Sequence, residues 1–452
     1  MSLAKYASAC IIGHGANAHL ACERLLTSCF ANQNYPIQNK YQTLEFLRTL
    51  PHLRSRLPLN SALLRLRSDA ITILNSFFSS RGFTQTHPPI VTSSDCEGAG
   101  EVFTLTAGKP KTGGGGEGAR EKQSKEQQRA DAFFRSPKYL TVSGQLHLEA
   151  LAQSVGDVWT LSPTFRAEKS DTSRHMAEFY MLEAEMTFVE DMGAVMDLAE
   201  DMIRHLVSSL SQTSRAAQDI FAAARRVTGD SESLIGPASQ LQARWEGLGG
   251  GDGASPSSSP PRWPRISYTE AISILQAAPV QFEHAPTWGA GLQAEHERYL
   301  AAAVSEAANP GWRTPVFVTQ YPRDIKAFYM LGSDTRSTSS SSSPAPPPPP
   351  GPTVDCFDLL VPDVCEIAGG SMREHRLDPL LDAMRRNGMP VPAAKPGRST
   401  ENLDWYVDLR RWGSPPHGGF GIGFDRLLVY LVGAQSVKDV VAFPRWWGRC
   451  DC

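Results

Sequence analysis

The sequence predicts an α+β domain whose sheet is mainly antiparallel. Amphipathic helical patterns are interspersed with apolar runs of strand length, and these do not follow the regular βαβ alternation of a parallel sheet. The chain has 452 residues, enough to bury one large core and a small appendage. We therefore expect one large domain in which helices flank a single sheet.

The first predicted elements are a helix and a strand on either side of Gly82. Apolar residues recur at helical spacing between Ala62 and Ser79, at Leu63, Leu66, Ala70, Ile73, Leu74 and Phe77. Gly82 is expected to end this helix, and a strand is predicted over residues 83–91, ending near the Pro88-Pro89 pair.

The later elements follow from the same two patterns. Helices are predicted at residues 145–153, 192–210 and 295–308, and strands at residues 158–161, 179–188, 315–319, 357–360 and 405–409. A glycine-dense strand is expected from His417 onward. The apolar run at residues 427–432 should then form a buried helix.

Three stretches of the chain lack the apolar residues that a packed core requires. They are rich in Gly, Lys, Gln and Glu at residues 107–130, in Gly, Ser and Pro at 247–264, and in Ser and then Pro at 333–352. Such compositions cannot bury enough surface to offset the entropy of ordering. We predict that all three are disordered insertions within one domain.

Charge and cysteine content exclude several classes of protein. The formal net charge is −3, so bulk charge does not indicate a nucleic-acid binder, and any RNA contact must use local basic patches. No apolar run reaches the roughly 18–20 residues that span a bilayer. The 8 cysteines form no CxxC pair, which favours neither a zinc site nor a disulfide framework and fits a reducing compartment.

The most informative block lies near the middle of the chain. Phe165-Arg166-Ala167-Glu168 precedes Arg174-His175 and then Phe179. Residues two apart in a strand share a face, so Arg166 and Glu168 can contact one ligand. A guanidinium suits a phosphate, a carboxylate accepts from an exocyclic amine, and an aromatic ring can cover a base. The block therefore predicts a nucleotide site that needs no glycine-rich phosphate loop.

A second block lies near the C-terminus. Residues 417–423 are rich in glycine, which lets a ligand lie flat on the backbone, and Arg426 falls in the first turn of the predicted helix. There the helix dipole also favours a phosphate. By itself such a run indicates helix–sheet packing equally well, but its pairing with Arg166 and Glu168 favours a shared site.

These two blocks resemble motifs 2 and 3 of the class II aminoacyl-tRNA synthetases, and residues 61–91 resemble motif 1. The segments at residues 95–101, 139–149, 328–330, 366–373 and 408–411 are similar to the asparaginyl branch, as is the one beginning at Tyr35. The Val-Ser-Gly-Gln-Leu form within 139–149 is closer to bacterial and mitochondrial members than to eukaryotic cytosolic ones. The resemblance implies a homodimer formed through residues 61–91.

The resemblance also implies the reaction and its ATP contacts. ATP-dependent activation of asparagine gives asparaginyl-adenylate, and the asparaginyl group then passes to tRNA-Asn. Arg166 would hold the α-phosphate, Glu168 would read the adenine amine and Phe179 would stack on the ring. Arg174, His175 and Arg426 would bind the outer phosphates. Neither step needs a protein nucleophile, so Arg166 and Arg426 would act by positioning and charge neutralisation.

Two carboxylates, Asp358 and Glu366, are implied as ligands of Mg²⁺. Glu366 lies between Val364 and Ile367, which disfavours a plain surface role. Aspartyl members of the family carry a Ser three positions after this Glu as a second metal contact. Here that position is Gly369, so this contact is missing from the expected set.

Selection of asparagine over aspartate is expected from charge complementarity. Arg373 would donate to the side-chain carbonyl, and Glu183, where aspartyl relatives carry Asp, would accept from the amide and repel a second carboxylate. A simple salt bridge between Glu183 and Arg373 is the alternative. Glu97 and Gln145 are expected near the substrate ammonium, and Ser143 completes the predicted asparagine-binding set.

The chain departs from the family at its N-terminus. Members normally carry a β-barrel of roughly 100 residues that reads the anticodon, whereas only residues 1–34 stand before Tyr35 here. We expect an N-terminal segment at 1–34, a hinge at 35–60 and a catalytic domain at 61–452. The composition of residues 1–30 is compatible with a transit peptide, which favours the mitochondrial matrix over the cytoplasm, and equally with an ordinary frayed terminus.

Two other functions remain open at this point. One is an ATP-dependent asparagine synthetase that uses the same adenylate site on free aspartate, and Glu183 argues against it. The other is a non-catalytic paralogue that binds RNA or a protein partner. Such a protein has no need to keep Arg166, Glu168, Glu366 and Arg426 together, and all four are present.

Overall fold

A computed structural model describes most of the chain. The described residues are 35–38, 42–93, 102–106, 133–134, 136–227, 233–249, 261–333, 349–391 and 403–452. The fold below refers to these ranges. No helix within them is long and apolar enough to cross a membrane.

An eight-stranded sheet forms the centre of the fold. The strands, in chain order, are β1 Thr84–Gln85, β2 Val91–Thr92, β3 Tyr139–Leu140, β4 Val158–Phe165, β5 Glu178–Thr187, β6 Arg265–Ser267, β7 Val316–Thr319, β8 Cys356–Val361, β9 Cys365–Met372 and β10 His417–Gly423. The spatial order is β1-β4-β5-β10-β9-β8-β7-β6, and β2 pairs with β3 separately. Only the edge pairs β1/β4 and β6/β7 are parallel. The mainly antiparallel α+β architecture is therefore confirmed.

Helices cover the sheet and close its ends. They are α1 Leu44–Arg48, α2 Pro51–Arg54, α3 Pro58–Ser80, α4 Gln145–Val155, α5 Met192–Thr213, α6 Arg215–Ala224, α7 Ala238–Gly247, α8 Tyr268–Gln276, α9 Ala294–Ala308, α10 Leu377–Arg386, α11 Asp404–Arg411 and α12 Phe424–Val432. The helices predicted at 145–153, 192–210 and 295–308 correspond to α4, α5 and α9. The buried helix predicted at 427–432 lies inside α12.

The apolar stripe of α3 packs inside the same protomer. Leu66, Ala70 and Leu74 recur every four residues, and each is fully buried in the main hydrophobic cluster, which also contains α5 and α6. The dimer that the resemblance implies through residues 61–91 therefore cannot use these three side chains as its contact, because one protomer already covers them. The strand predicted over 83–91 was wrong in extent, since only the short β1 and β2 form, on either side of prolines that cannot donate hydrogen bonds.

The strand predicted at 405–409 is instead part of helix α11. Its buried residues are Tyr406, Val407 and Arg410, which share one face at helical spacing. Asp404 lies in the first turn and two arginines lie in the last, as the helix dipole favours. The predicted strand ended at Leu409 and left out Arg410, whose burial completes the helical face.

Sequence reasoning also missed several elements. Helices α6, α7, α8 and α10 and strand β9 were not predicted, although Ser267 and Glu270 form a capping box that announces α8. The predicted insertion at 247–264 was too long at its end, because Trp263 is buried in the main cluster. The central parts of the three predicted insertions lie outside the described residues.

Candidate functional site

A cavity of about 440 Å³ opens on the central strands of the sheet. Strands β5, β8, β9 and β10 contribute to its wall, together with the loop after β4 and the start of α12. Twelve of the thirteen site residues predicted from sequence line it: Ser143, Gln145, Arg166, Glu168, Arg174, His175, Phe179, Glu183, Asp358, Glu366, Arg373 and Arg426. Glu97 lies outside the described residues.

One end of the cavity carries the predicted nucleotide residues. Strands β4 and β5 form an antiparallel hairpin in which Phe165 faces Glu178, and this register brings Arg166 close to Phe179. The Arg166 guanidinium lies 5.8 Å from the centre of the Phe179 ring, and its Nη1 lies 3.9 Å from Glu168 Oε1. A flat aromatic surface, a cation and a carboxylate therefore stand side by side.

His175 lies closer to Glu168 than sequence reasoning placed it. Its Nε2 is 3.2 Å from Glu168 Oε2, and its Nδ1 is 2.6 Å from the hydroxyl of Thr172. Burial lowers the pKa of His175 below its ordinary value of 6.5, although Glu168 opposes this shift. Both ring nitrogens therefore face protein groups, Nε2 toward Glu168 and Nδ1 toward Thr172, and the ring lies beside the predicted nucleotide residues.

Two arginines at this end have long or neutral contacts. Arg174 Nη2 lies 3.5 Å from Glu297 Oε2, and Arg426 donates to the backbone carbonyl of Glu366 at 3.2 Å. Burial lowers the pKa of Arg426, because desolvation disfavours its charge. An anion placed between Arg174 and Arg426 would relieve this cost, as a polyphosphate would.

Three carboxylates approach the same end from β8, β9 and α9. A Cβ placed on Gly369 would lie 3.4 Å from Asp358 Oδ1 and 3.6 Å from Glu366 Oε1, so these oxygens lie over one glycine. Glu297 Oε2 accepts from the backbone N–H of Glu366 at 3.3 Å. Burial, and then the charge of Glu366, raises the pKa of Glu297 to about 7.

Carboxylate oxygens are ligands of the type that Mg²⁺ prefers, but the carboxylate of Asp358 already accepts hydrogen bonds from a lysine. Lys326 donates to both oxygens of Asp358, at 2.8 and 2.9 Å. Among the described residues, no group of three or more His, Cys, Asp or Glu is arranged to hold a metal by itself. Mg²⁺ commonly takes one or two carboxylates and completes its shell with water and phosphate oxygens. Glu366 fits this pattern, provided that a nucleotide brings the phosphates.

The other end of the cavity pairs Arg373 with a carboxylate that sequence reasoning missed. Arg373 donates through Nε and Nη2 to the two oxygens of Glu185, at 3.1 and 2.9 Å. Glu183 instead accepts from the Ser143 hydroxyl and from the Gly144 N–H, at 2.9 Å. The alternative of a salt bridge between Glu183 and Arg373 is therefore wrong.

Glu183 and Glu185 share one face of β5, because alternate residues of a strand point the same way. Both are buried, and both line the cavity. Burial raises the pKa of Glu185, although Arg373 counteracts this effect. The Glu183-Ala184-Glu185 alternation was the sequence signal that could have identified the second carboxylate.

A fully buried network of hydrogen bonds and ion pairs around Glu149 lies next to the Arg373 end of the cavity. Glu149 Oε2 accepts from Arg410 at 2.7 Å and from the Tyr406 hydroxyl at 2.7 Å, and it lies 3.0 Å from His417 Nε2. Burial by itself raises the pKa of Glu149, but Arg410 and His417 outweigh this and hold the pKa well below its usual range. The Gln145 amide also donates to Glu149, at 3.1 Å. Sequence reasoning used these segments only for their resemblance.

The comparisons with known proteins agree on one family. Residues 44–447 match the family described as tRNA synthetases class II (D, K and N). The chain is 41% identical to the mitochondrial asparagine–tRNA ligase of Saccharomyces cerevisiae over 419 residues, covering 92% of this chain and 74% of the relative. It is 37% identical to the asparagine–tRNA ligase of Microcystis aeruginosa, covering 96% and 81%.

A solved structure matches the same region. The asparaginyl-tRNA synthetase of Pyrococcus horikoshii, complexed with asparaginyl-adenylate, aligns with a TM-score of 0.65 at 30% identity. The alignment covers 90% of this chain and 74% of the other.

Proposed function

Since the chain belongs to the class II aminoacyl-tRNA synthetases of the D, K and N group, we propose that its cavity activates asparagine with ATP and serves an asparagine–tRNA ligase. The observation that carries this proposal is the division of one cavity into two differently charged ends. Arginines and an aromatic ring face one end, and a paired Arg373 with two carboxylates faces the other.

In the first step, the α-carboxylate of asparagine attacks the α-phosphorus of ATP. A P–O bond forms, the bond to the β-phosphate oxygen breaks, and pyrophosphate leaves with the electron pair. In our proposal Arg166 binds the α-phosphate, Glu168 accepts from the adenine amine and Phe179 stacks on the base. Charge neutralisation and orientation then supply most of the rate.

The outer phosphates extend toward Arg174 and Arg426. Both guanidiniums stand in a partly desolvated wall, where an anion gains more than it would in water. His175, which lies beside Glu168 at this end, is proposed to border the same phosphates. We propose that Glu366 would hold Mg²⁺ together with the phosphates, and that the bound ion would supply neutralisation of phosphate charge.

The amino-acid end favours an amide over a carboxylate. Arg373 already faces the full charge of Glu185, and Glu183 adds a second carboxylate on the same strand. A neutral side-chain amide can donate to a carboxylate and accept from a guanidinium. The second carboxylate of aspartate would meet two acids and only one arginine, which disfavours it. Ser143 and Gln145 are proposed to border the bound asparagine, and Glu97 to approach it.

In the second step, the terminal adenosine of tRNA-Asn attacks the activated carbonyl and releases AMP. The mixed anhydride is the reactive group, so the protein again orients the reactants and excludes water. We also propose a homodimer formed through residues 61–91, in which exposed Ile90 and Val91 contact the partner in place of the buried α3 stripe. Similarity to a mitochondrial relative supports a mitochondrial location, whereas bacterial relatives of comparable identity do not discriminate.

The proposal is tested by ATP–pyrophosphate exchange with purified protein, Mg²⁺ and single amino acids, in the absence of tRNA. Asparagine is expected to drive exchange, and aspartate is not. Exchange driven by aspartate alone would support the asparagine synthetase alternative. No exchange with any amino acid, from protein that is folded by circular dichroism, would support the non-catalytic alternative.

A further inference from the structure

Lys326 is a cation fixed inside the cavity. Its Nζ lies 2.8 and 2.9 Å from the two oxygens of Asp358 and 4.0 Å from the centre of the Tyr321 ring. Only 19% of its side chain is exposed. Carboxylate and ring thus hold the ammonium from two directions, and the pair is screened from solvent more than a surface salt bridge is.

The position of Lys326 conflicts with a metal shared by Asp358 and Glu366. The two carboxylates approach the same face of Gly369, where the Asp358 oxygen nearer to the position of a Cβ is Oδ1. This same oxygen accepts from Lys326 at 2.9 Å. A divalent cation bound to Asp358 would therefore approach a buried ammonium, and the two positive charges would repel each other.

From this geometry we propose that Lys326 serves as a built-in cation for Asp358, so that a divalent metal is held by Glu366 and not by Asp358. The ion pair fixes one side of the metal region, and the metal keeps its remaining positions for water and phosphate oxygens. This inference rests on the proposed function only for the arrival of the phosphates. The pairing of Lys326 and Asp358 stands on the structure alone.

Gly369 agrees with this smaller ligand set. It offers no side-chain oxygen beside Asp358 and Glu366, although a Cβ there would make only ordinary contacts of 3.4 to 3.8 Å. Its φ is not in the left-handed region, so the backbone accepts other residues. Gly369→Ser therefore can be built without strain, and it adds a hydroxyl oxygen next to Glu366.

The test uses Mn²⁺ alone, without nucleotide, and measures free Mn²⁺ by electron paramagnetic resonance. K326M should bind Mn²⁺ about tenfold or more tightly than the natural protein, because Asp358 becomes available as a ligand. K326R keeps the cation and should behave like the natural protein. Adding G369S to K326M should tighten binding further, whereas G369A should not.

Removal of Asp358 provides the decisive control. Together with K326M, which removes the ammonium as well, D358N should leave Mn²⁺ affinity unchanged within about twofold, whereas E366Q should weaken it by about tenfold or more. The double variant K326M/D358N leaves no unpaired charge and remains useful if K326M does not fold. It should bind Mn²⁺ like the natural protein.

Two results would overturn the proposal. One is a folded K326M that binds Mn²⁺ no more tightly than the natural protein. The other is a loss of about tenfold or more in K326M/D358N, which would make Asp358 a metal ligand. Asparagine-dependent exchange is measured separately on the natural protein, so a failure of the proposed function is distinguished from a failure of this assignment.

Discussion

The two ends of the cavity solve the problem of buried charge in different ways. At the nucleotide end, Arg174 contacts Glu297 at 3.5 Å and Arg426 contacts a backbone carbonyl. At the amino-acid end, Arg373 is matched by Glu185 at 2.9 Å, and Arg410 is matched by Glu149 at 2.7 Å. The first end gains from an anionic ligand, whereas the arginines of the second end are already paired with carboxylates before any ligand arrives.

This difference separates binding energy from selectivity. A loosely matched guanidinium gains when phosphate binds, so the nucleotide end is suited to stabilising charge that develops during the reaction. A fully paired network resists rearrangement, so the amino-acid end is suited to rejecting a ligand with one charge too many. The following predictions test whether the two ends of the cavity differ in this way.

The largest expected effect is on folding, at the base of the amino-acid end. Glu149→Ala leaves Arg410 buried without its carboxylate, and it should lower the free energy of unfolding by about 3–5 kcal/mol. Urea denaturation followed by circular dichroism measures this change. Glu306→Ala, at an exposed position of α9, is the matched control and should change stability little. If the Glu149→Ala and Glu306→Ala proteins had the same free energy of unfolding, the network around Glu149 would not stabilise the fold.

Arginines at the nucleotide end should affect the reaction more than the fold. Arg426→Ala and Arg166→Ala each remove a cation that faces developing phosphate charge, so asparagine-dependent exchange should fall by about 100-fold or more. Arg385→Ala, on the exposed face of α10, is the control and should keep full activity. Near-normal exchange in a folded Arg426→Ala protein would contradict the assignment of that residue.

A change of the Arg373 partner should reduce selectivity. Glu185→Gln removes the charge that neutralises Arg373, so the ratio of kcat/KM for asparagine over aspartate should fall by about 10- to 100-fold. Glu178→Gln, at the start of the same strand and outside the cavity, should leave the ratio unchanged. An unaltered ratio in Glu185→Gln would show that Glu185 plays no part in selection.

The smallest effect concerns Glu297 and pH. The pKa of Glu297 is about 7 in the folded protein and 4.5 for the ordinary side chain, so the folded state binds its proton more tightly. Between these values stability should fall as pH rises, and Glu297→Gln should remove part of that fall. Urea denaturation at pH 5 and pH 8, without metal or nucleotide, measures the difference.

Glu295→Gln is the control for this pH dependence. Backbone hydrogen bonds lower the pKa of Glu295, so its contribution to stability is lost only as pH falls below the ordinary range of a carboxylate. Between pH 5 and pH 8 its replacement should leave the pH dependence of stability unchanged. A Glu297→Gln protein whose pH dependence matches that of the natural protein would contradict the raised pKa.

The sequence predicted the side chains that line the cavity better than it predicted the residues that fix those side chains in position. Arg166, Glu168, Phe179 and Arg426 were identifiable because phosphate and base chemistry require those types at those spacings. The residues that support these side chains could not be identified from the sequence. Glu297 reaches the cavity from α9, far along the chain, and no local pattern links that helix to β9.

Local sequence patterns also did not predict which residue pairs with each buried charge. Glu183 was predicted to accept from the substrate amide opposite Arg373, and local pattern gave no sign that Glu185, two residues later on the same face, pairs with Arg373. Lys326 and Asp358 are 32 positions apart in the sequence, so their pairing also could not be read from a local pattern. Likewise α11 was mistaken for a strand because its fixed position depends on the buried Arg410 and its distant partner Glu149.

The central claim is that one cavity recognises an adenylate at one end and rejects a second carboxylate at the other. Non-hydrolysable sulfamoyl analogues of asparaginyl-adenylate and aspartyl-adenylate test both ends in one titration calorimetry experiment. The asparaginyl analogue should bind about 100-fold or more tightly than the aspartyl analogue, since they differ only in the group that meets Arg373, Glu183 and Glu185. Equal affinities, or tighter binding of the aspartyl analogue, would contradict the account.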